Sequence, residues 1–136
     1  MKQKRLLDSF AIIAYLNKEK GFERVRNVLS EAQKSGDPVL INEINIGEVY
    51  YILFRKRGSE GADYFLETIL PSLPILIFSN TFDDVIQAAR IKAEYPLSFA
   101  GCFAVATARK NNSVIMTGDP EFKRIENLVT VEWIDK

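Results

Sequence analysis

Short apolar runs alternate along this chain with longer segments whose apolar positions recur every three or four residues. The two spacings predict strands and helices in turn. Arg5 to Leu7 is the first short run. Ser9 then offers a cap for a short helix to about Leu16, and a second helix spans Gly21 to Lys34 with Phe22, Val25, Leu29 and Ala32 on one stripe. Ser35-Gly36-Asp37-Pro38 breaks the chain before Val39-Leu40-Ile41, an apolar run of strand length. Asn42 or Asn45 caps the next helix, which reaches about Arg57; Gly58-Ser59 stops it, and a new helix from Glu60 to Leu70 is expected to bury Ala62, Phe65, Leu66 and Ile69. Pro71 and Pro74 end that helix, and Ile75 to Phe78 reads as a third strand. Thr81-Phe82-Asp83-Asp84 has the form of a capping box and opens a helix that Pro96 terminates. Ser98 caps one more helix, to about Lys110. Val114 to Thr117 is a fourth strand, Gly118-Asp119-Pro120 a sharp turn, and Val129 to Ile134 a last β-branched stretch.

Strands separated by helices predict an α/β fold with a parallel sheet, right-handed crossovers and helices on its faces. At 136 residues the chain makes one domain, 1–136, with a real core and no room for a second. Eighteen Lys plus Arg balance eighteen Asp plus Glu, so no net charge draws the whole molecule toward nucleic acid or an anionic membrane; only local patches remain. Nowhere do 18 apolar residues run together, and the apolar stretch behind the basic start, Met1 to Arg5, is interrupted by Asp8, Asn17 and Lys18. No membrane span or targeting segment is therefore expected. The single cysteine, Cys102, makes no internal disulfide, which suits a reducing, cytoplasmic setting. On an apolar helix face it reads as a small buried hydrophobe.

The chain contains no histidine. That removes the usual imidazole base, the Ser-His-Asp and Cys-His pairs, and zinc sites built on His or several Cys. Catalysis falls to carboxylates, lysines, hydroxyls or a hard metal ion. In an open parallel sheet, ligands bind beyond the carboxyl ends of the strands, and two acids land on that edge: Asp8 directly after the first strand and Asp119 after the fourth. Taken singly, each also reads as a helix cap or turn aspartate. Glu48, near the start of the helix after strand two, is a third candidate, although a helix Glu alone is ordinarily solvated. Together the three acids suit Mg²⁺, which prefers oxygen ligands, keeps several waters and uses one or two carboxylates directly. Such an ion activates water and stabilises charge at phosphorus, which is phosphodiester hydrolysis without histidine. No Gly-rich phosphate loop or Walker motif supports a nucleotide-binding enzyme instead.

The segments Leu6-Leu7-Asp8-Ser9, Glu43-Ile44-Asn45-Ile46-Gly47-Glu48-Val49-Tyr50, Ala100-Gly101-Cys102-Phe103-Ala104-Val105-Ala106-Thr107-Ala108 and Thr117-Gly118-Asp119-Pro120-Glu121-Phe122 resemble, in order and spacing, the motifs of PIN-domain ribonucleases. The likeness is strongest to the VapC toxins of toxin–antitoxin pairs and covers essentially the whole chain. It implies a three-layer α/β/α domain with a parallel sheet of about five strands, and an acidic pocket that binds Mg²⁺ or Mn²⁺ and cleaves RNA. On that resemblance Asp8, Glu48 and Asp119 match the family's first, second and fourth acids, as catalytic residues and metal ligands, and Thr117 matches a supporting hydroxyl. A homodimer and a cognate VapB-like antitoxin are implied as well.

The third acidic position departs from the pattern, because Gly101 stands where the family typically has Asp. Glycine in a helix interior costs roughly 0.8–1.0 kcal/mol relative to alanine, so the change removes a functional group with no structural gain. Two expectations follow: a metal-dependent endoribonuclease impaired at its third acid, or a catalytically inactive PIN fold that binds RNA or antitoxin. Gly47, beside Glu48, serves either close helix packing or backbone space for the metal site. Lys2, Lys4, Arg5, Arg109, Lys110, Lys123 and Arg124 are candidates for a basic rim that holds RNA. Tyr50, Tyr51, Phe54, Tyr64 and Phe65 are mostly core by spacing, and any exposed members suit a dimer or antitoxin groove.

Overall fold

A computed structural model describes residues 3–136. The apolar runs become β1 (Arg5–Leu7), β2 (Val39–Asn42), β3 (Ile75–Phe78), β4 (Val114–Thr117) and β5 (Val131–Trp133). Between them lie α1 (Ser9–Asn17), α2 (Phe22–Ser35), α3 (Glu43–Tyr64), the short α4 (Leu70–Ser72), α5 (Phe82–Glu94) and α6 (Phe99–Lys110). All strand pairs are parallel, in the order β3-β2-β1-β4-β5. The chain fills one half of the sheet with β1 to β3 and then returns to the other side of β1, leaving a topological switch point between β1 and β4.

Strand side chains alternate between two cores, which makes three layers. Leu7, Ile41 and Met116 pack on one face with Ala11, Val25 and Val49 of α1, α2 and α3. Leu6 and Ile115 pack on the other with Ala88 of α5 and Phe103 and Val105 of α6. Cys102 is fully buried in this second core. Among the described residues, no helix is long and apolar enough to cross a membrane.

Helix starts follow the capping signals with one shift. Asn42 caps α3 by accepting from the Ile44 N–H at 2.8 Å, which leaves Asn45 free for another role. Thr81 and Asp84 complete their capping box, and Ser98 accepts from the Gly101 N–H. At α1, however, the cap is Asp8 and not Ser9: Asp8 holds extended backbone, and its side chain accepts from the Ala11 N–H. Strand and helix adjoin with no linker, so the residue leaving β1 must itself satisfy the first turn.

Gly58 breaks the helix as its residue type suggests. Its φ of 74° and ψ of 178° interrupt an otherwise continuous rod, and the Tyr50 hydroxyl donates to Asp63 at 2.6 Å across the break. Beyond it the helix widens into a π-turn at Phe65–Ile69 and runs through Pro71 into α4, so Pro74, after α4, marks the real end. Two burial expectations fail here. Leu66 is exposed while Ala62 and Phe65 are buried, and Tyr51, Phe54 and Tyr64 are all exposed. The helical stripe against the sheet is narrower than the number of apolar residues on it.

Candidate active site

Asp8 directly follows β1 and Thr117 ends β4, the two strands that flank the switch point. Asp8 is 3% exposed, since β1 lies at the sheet centre and α1 covers its end. One carboxylate oxygen, Oδ1, accepts from the Ala11 N–H at 2.9 Å, and Oδ2 accepts from the buried Thr117 hydroxyl. Thr117 Oγ1 in turn accepts from the Asp119 N–H at 3.0 Å, so one hydroxyl links the two strand ends. Asp119 caps the 3₁₀ turn Pro120–Ile125 by accepting from the Glu121 N–H at 3.0 Å. Both aspartates therefore carry the cap role that each suggests in isolation, and both also line one pocket.

That pocket has a volume of about 290 Å³. Asp8, Glu48, Asp119 and Gly101 share its wall. Glu48, one helical turn into α3, is turned toward α1 and accepts from the Ser9 hydroxyl, so Ser9 orients an acid instead of capping a helix. Burial pushes the Asp8 carboxyl from 3.8 up to about 7; the hydrogen bonds from Thr117 and Ala11 oppose this, and the charges of Asp119 and Glu48 add to it. Among the described residues, no three acidic or cysteine side chains converge on a single point. The acids face a common space without meeting.

Residues that sequence reasoning did not assign to the site also line it, among them the polar Glu19, Asn45, Lys56 and Ser98. Asn45 is the most informative. It is fully buried, its amide nitrogen donates to the Ala100 carbonyl at 3.1 Å, and its Oδ1 has no hydrogen-bond partner among the described residues. A buried acceptor left in that state costs about 1–3 kcal/mol. The oxygen donors on this wall, among them a buried carboxyl and an orphaned amide oxygen, are of the chemical type that a divalent cation and its water take, although the acids are not gathered at one point.

The other expectations around the site divide. A Cβ on Gly118 would lie 2.4 Å from the ring of the exposed Phe10, so a side chain there would displace that part of the pocket wall. A Cβ on Gly47 would meet nothing within 4 Å, so that glycine serves no close packing. At Gly101 a Cβ would stand 3.0 Å from Leu97 Cγ and Ser98 Oγ, with Leu97 buried in the core and Ser98 held as the α6 cap, so glycine relieves a tight contact there, contrary to the expectation of no structural gain. None of the described rim candidates lines the pocket. Arg5 pairs with Glu132 and Lys110 with Asp84, while Arg109 lies in a separate groove with Arg90. Lys2 falls outside the described residues. Lys56 of α3 is the cation on the pocket wall.

The sequence signature of the PIN domain matches residues 5–128. The chain belongs to the PIN domain family. No curated protein matches its sequence at a significant level. Among solved structures, this PIN domain is similar to a chain of the DNA-bound VapBC complex of Salmonella typhimurium, with a TM-score of 0.74 at 18% identity, covering 98% of this chain and 99% of that one. A chain of VapBC2 from Rickettsia felis, bound to a promoter DNA fragment, gives 0.70 at 15% identity over 95% and 97%. The sarcin-ricin loop cleaving toxin VapC20 of Mycobacterium tuberculosis gives 0.63 at 20% identity over 88% and 93%. At such identities the likeness is one of fold. The PIN assignment agrees with the five-stranded parallel sheet flanked by helices.

Proposed function

We propose that this PIN domain is a VapC-like toxin, a metal-dependent endoribonuclease that hydrolyses RNA phosphodiesters. The observation that carries the reading is Asp8, a carboxyl buried at the switch point beside two further acids, in a pocket whose electrostatics a cation would relieve. Asp8, Asp119 and Glu48 are the residues that would hold Mg²⁺ or Mn²⁺. The bound ion would supply an activated water and neutralise charge on the phosphate. The chain's own groups do the rest. Thr117 fixes the orientation of Asp8 and couples it to Asp119, Ser9 holds Glu48, and Lys56 offers a positive charge to a phosphate entering the pocket.

Gly101 supports a second reading, an inactive PIN fold that retains RNA or antitoxin binding, because one oxygen ligand of the family pattern is missing. The two separate in one experiment: cleavage of mixed RNA in Mg²⁺ or Mn²⁺ by this chain and by Gly101→Asp, with Asp8→Asn in each background as the control for contaminating nuclease. Cleavage by the chain as it stands, abolished by Asp8→Asn, establishes a three-acid nuclease. Cleavage only after Gly101→Asp identifies an inactivated toxin, whose binding of RNA or antitoxin is then the thing to measure, and none in either background refutes the nuclease reading.

Solved relatives that are VapBC complexes support a VapB-like antitoxin as partner. Tyr51, Phe54, Tyr64 and Leu66 give it an apolar surface along and beyond α3. A homodimer is proposed on the free edge of the sheet, where β3 pairs on one side only and exposes Leu76 and Ile77. Sedimentation of the chain and of Leu76→Lys over a roughly 100-fold range of concentration tests this; a chain that is monomeric throughout, or a dimer unmoved by Leu76→Lys, refutes it.

A further inference from the structure

The orphaned oxygen of Asn45 has no structural purpose in the fold as described. Asn42 already caps α3, so Asn45 is not needed there. Its amide cannot be turned over to cure the defect, because the nitrogen is held by the Ala100 carbonyl, and a flip would set oxygen against oxygen. A buried polar atom in that state calls for a donor that the protein does not supply. Asn45 lines the acidic pocket, and the carbonyl that fixes it belongs to the residue immediately before Gly101, the position where a carboxylate is missing.

We propose that Asn45 is a positioning residue of the metal site, its Oδ1 accepting a hydrogen bond from cation-held water and making good part of what the absent carboxylate at 101 would do. The inference rests on the metal reading above. It makes the site of this chain a set of three acids and one amide. An amide oxygen is a weaker ligand than a carboxylate but a competent acceptor for water, and partners one step removed from the ion commonly change metal affinity by about 10–100-fold.

The test is Mn²⁺ binding by isothermal titration calorimetry on the full chain, with no catalytic readout. Four proteins form a cycle: the chain, Asn45→Ala, Gly101→Asp and the double variant, with Asp8→Asn as a control that removes a proposed direct ligand. Asn45→Ala is expected to weaken Mn²⁺ binding at least 10-fold in the parent and less than 3-fold once Asp occupies position 101, since the two groups serve the same water. Equal losses in both backgrounds overturn the inference, because they identify the tie to Ala100 as the working feature. An unchanged affinity in Asn45→Ala, with Asp8→Asn defective, also overturns it while leaving the metal reading intact. A parent and Gly101→Asp that both ignore millimolar Mn²⁺ overturn the metal reading itself. If Asn45→Ala proves unfolded in EDTA, Asn45→Leu carries the test: it keeps a similar volume and has neither oxygen nor donor, so the same 10-fold loss in the parent and less than 3-fold with Asp at position 101 is expected, and an unchanged affinity refutes the proposal.

Discussion

Replacing Asp8 by Asn is expected to stabilise the metal-free protein at neutral and alkaline pH. The Asp8 carboxyl lies at about 7 in the fold against 3.8 for an ordinary aspartate, chiefly because of burial. The folded state therefore holds a proton that the unfolded chain releases, and stability falls as pH rises from about 4 to about 7. At about 1.4 kcal/mol per pH unit, the full difference is roughly 4 kcal/mol, present above pH 7 and absent below pH 4. Asn avoids it. Its oxygen can accept from Ala11 and its amide can donate to Thr117 Oγ1, so the cap and the strand-end link both survive. The assay is urea unfolding in EDTA between pH 5.5 and 8, a window that the absence of histidine leaves almost free of other titrations. The parent should lose about 2 kcal/mol from pH 5.5 to 7 and then level off, while Asp8→Asn stays flat. Saturating Mn²⁺ should restore the parent and leave the variant unmoved. A flat parent profile, or a variant less stable than the parent at pH 8, would refute the reasoning.

Other positions give independent checks. Gly47→Ala places a methyl group in open space on a helix and should add about 0.8–1.0 kcal/mol to stability, read by the same urea assay; a loss would mean that something outside this chain's own contacts uses that space. Thr117→Val keeps the shape but removes the donor that favours the charged form of Asp8, so the fall in stability with pH should end above pH 7 and Mn²⁺ affinity should drop; an unshifted profile would show that the hydroxyl does not hold that carboxylate.

Much of this architecture is legible from residue order because strands such as Val39–Asn42 and Val114–Thr117 are buried on both faces and read as unbroken apolar runs. The acids at the strand ends are legible for a topological reason, since a parallel sheet gathers its carboxyl-terminal loops wherever the order reverses. What escapes is whatever depends on the angle at which helices cross. Asn45 and Lys56 share the stripe of α3 that carries Glu48, at steps of 3, 4 and 4 through Ile52, so helical spacing counted from Glu48 would have found both, whereas Glu19 follows α1 and only the packing of α1 against α3 brings it to that wall. The aromatic residues of α3 fail for the same reason. Periodicity shows that Tyr50, Tyr51 and Phe54 fall on a helix but not which of its faces meets the sheet.

The cap formed by Asp8 has a bearing on how loss of function is scored in a living cell. An alanine there would delete the charged group and also strip the first turn of α1 of its acceptor, leaving it about 0.5–2 kcal/mol less stable than the asparagine variant. A change of that size can alter how much of a protein survives quality control. Cells that tolerate the alanine variant would thus report on abundance as much as on chemistry. The asparagine variant preserves the turn, so its phenotype, read beside an immunoblot for protein level, separates a silenced site from a depleted protein.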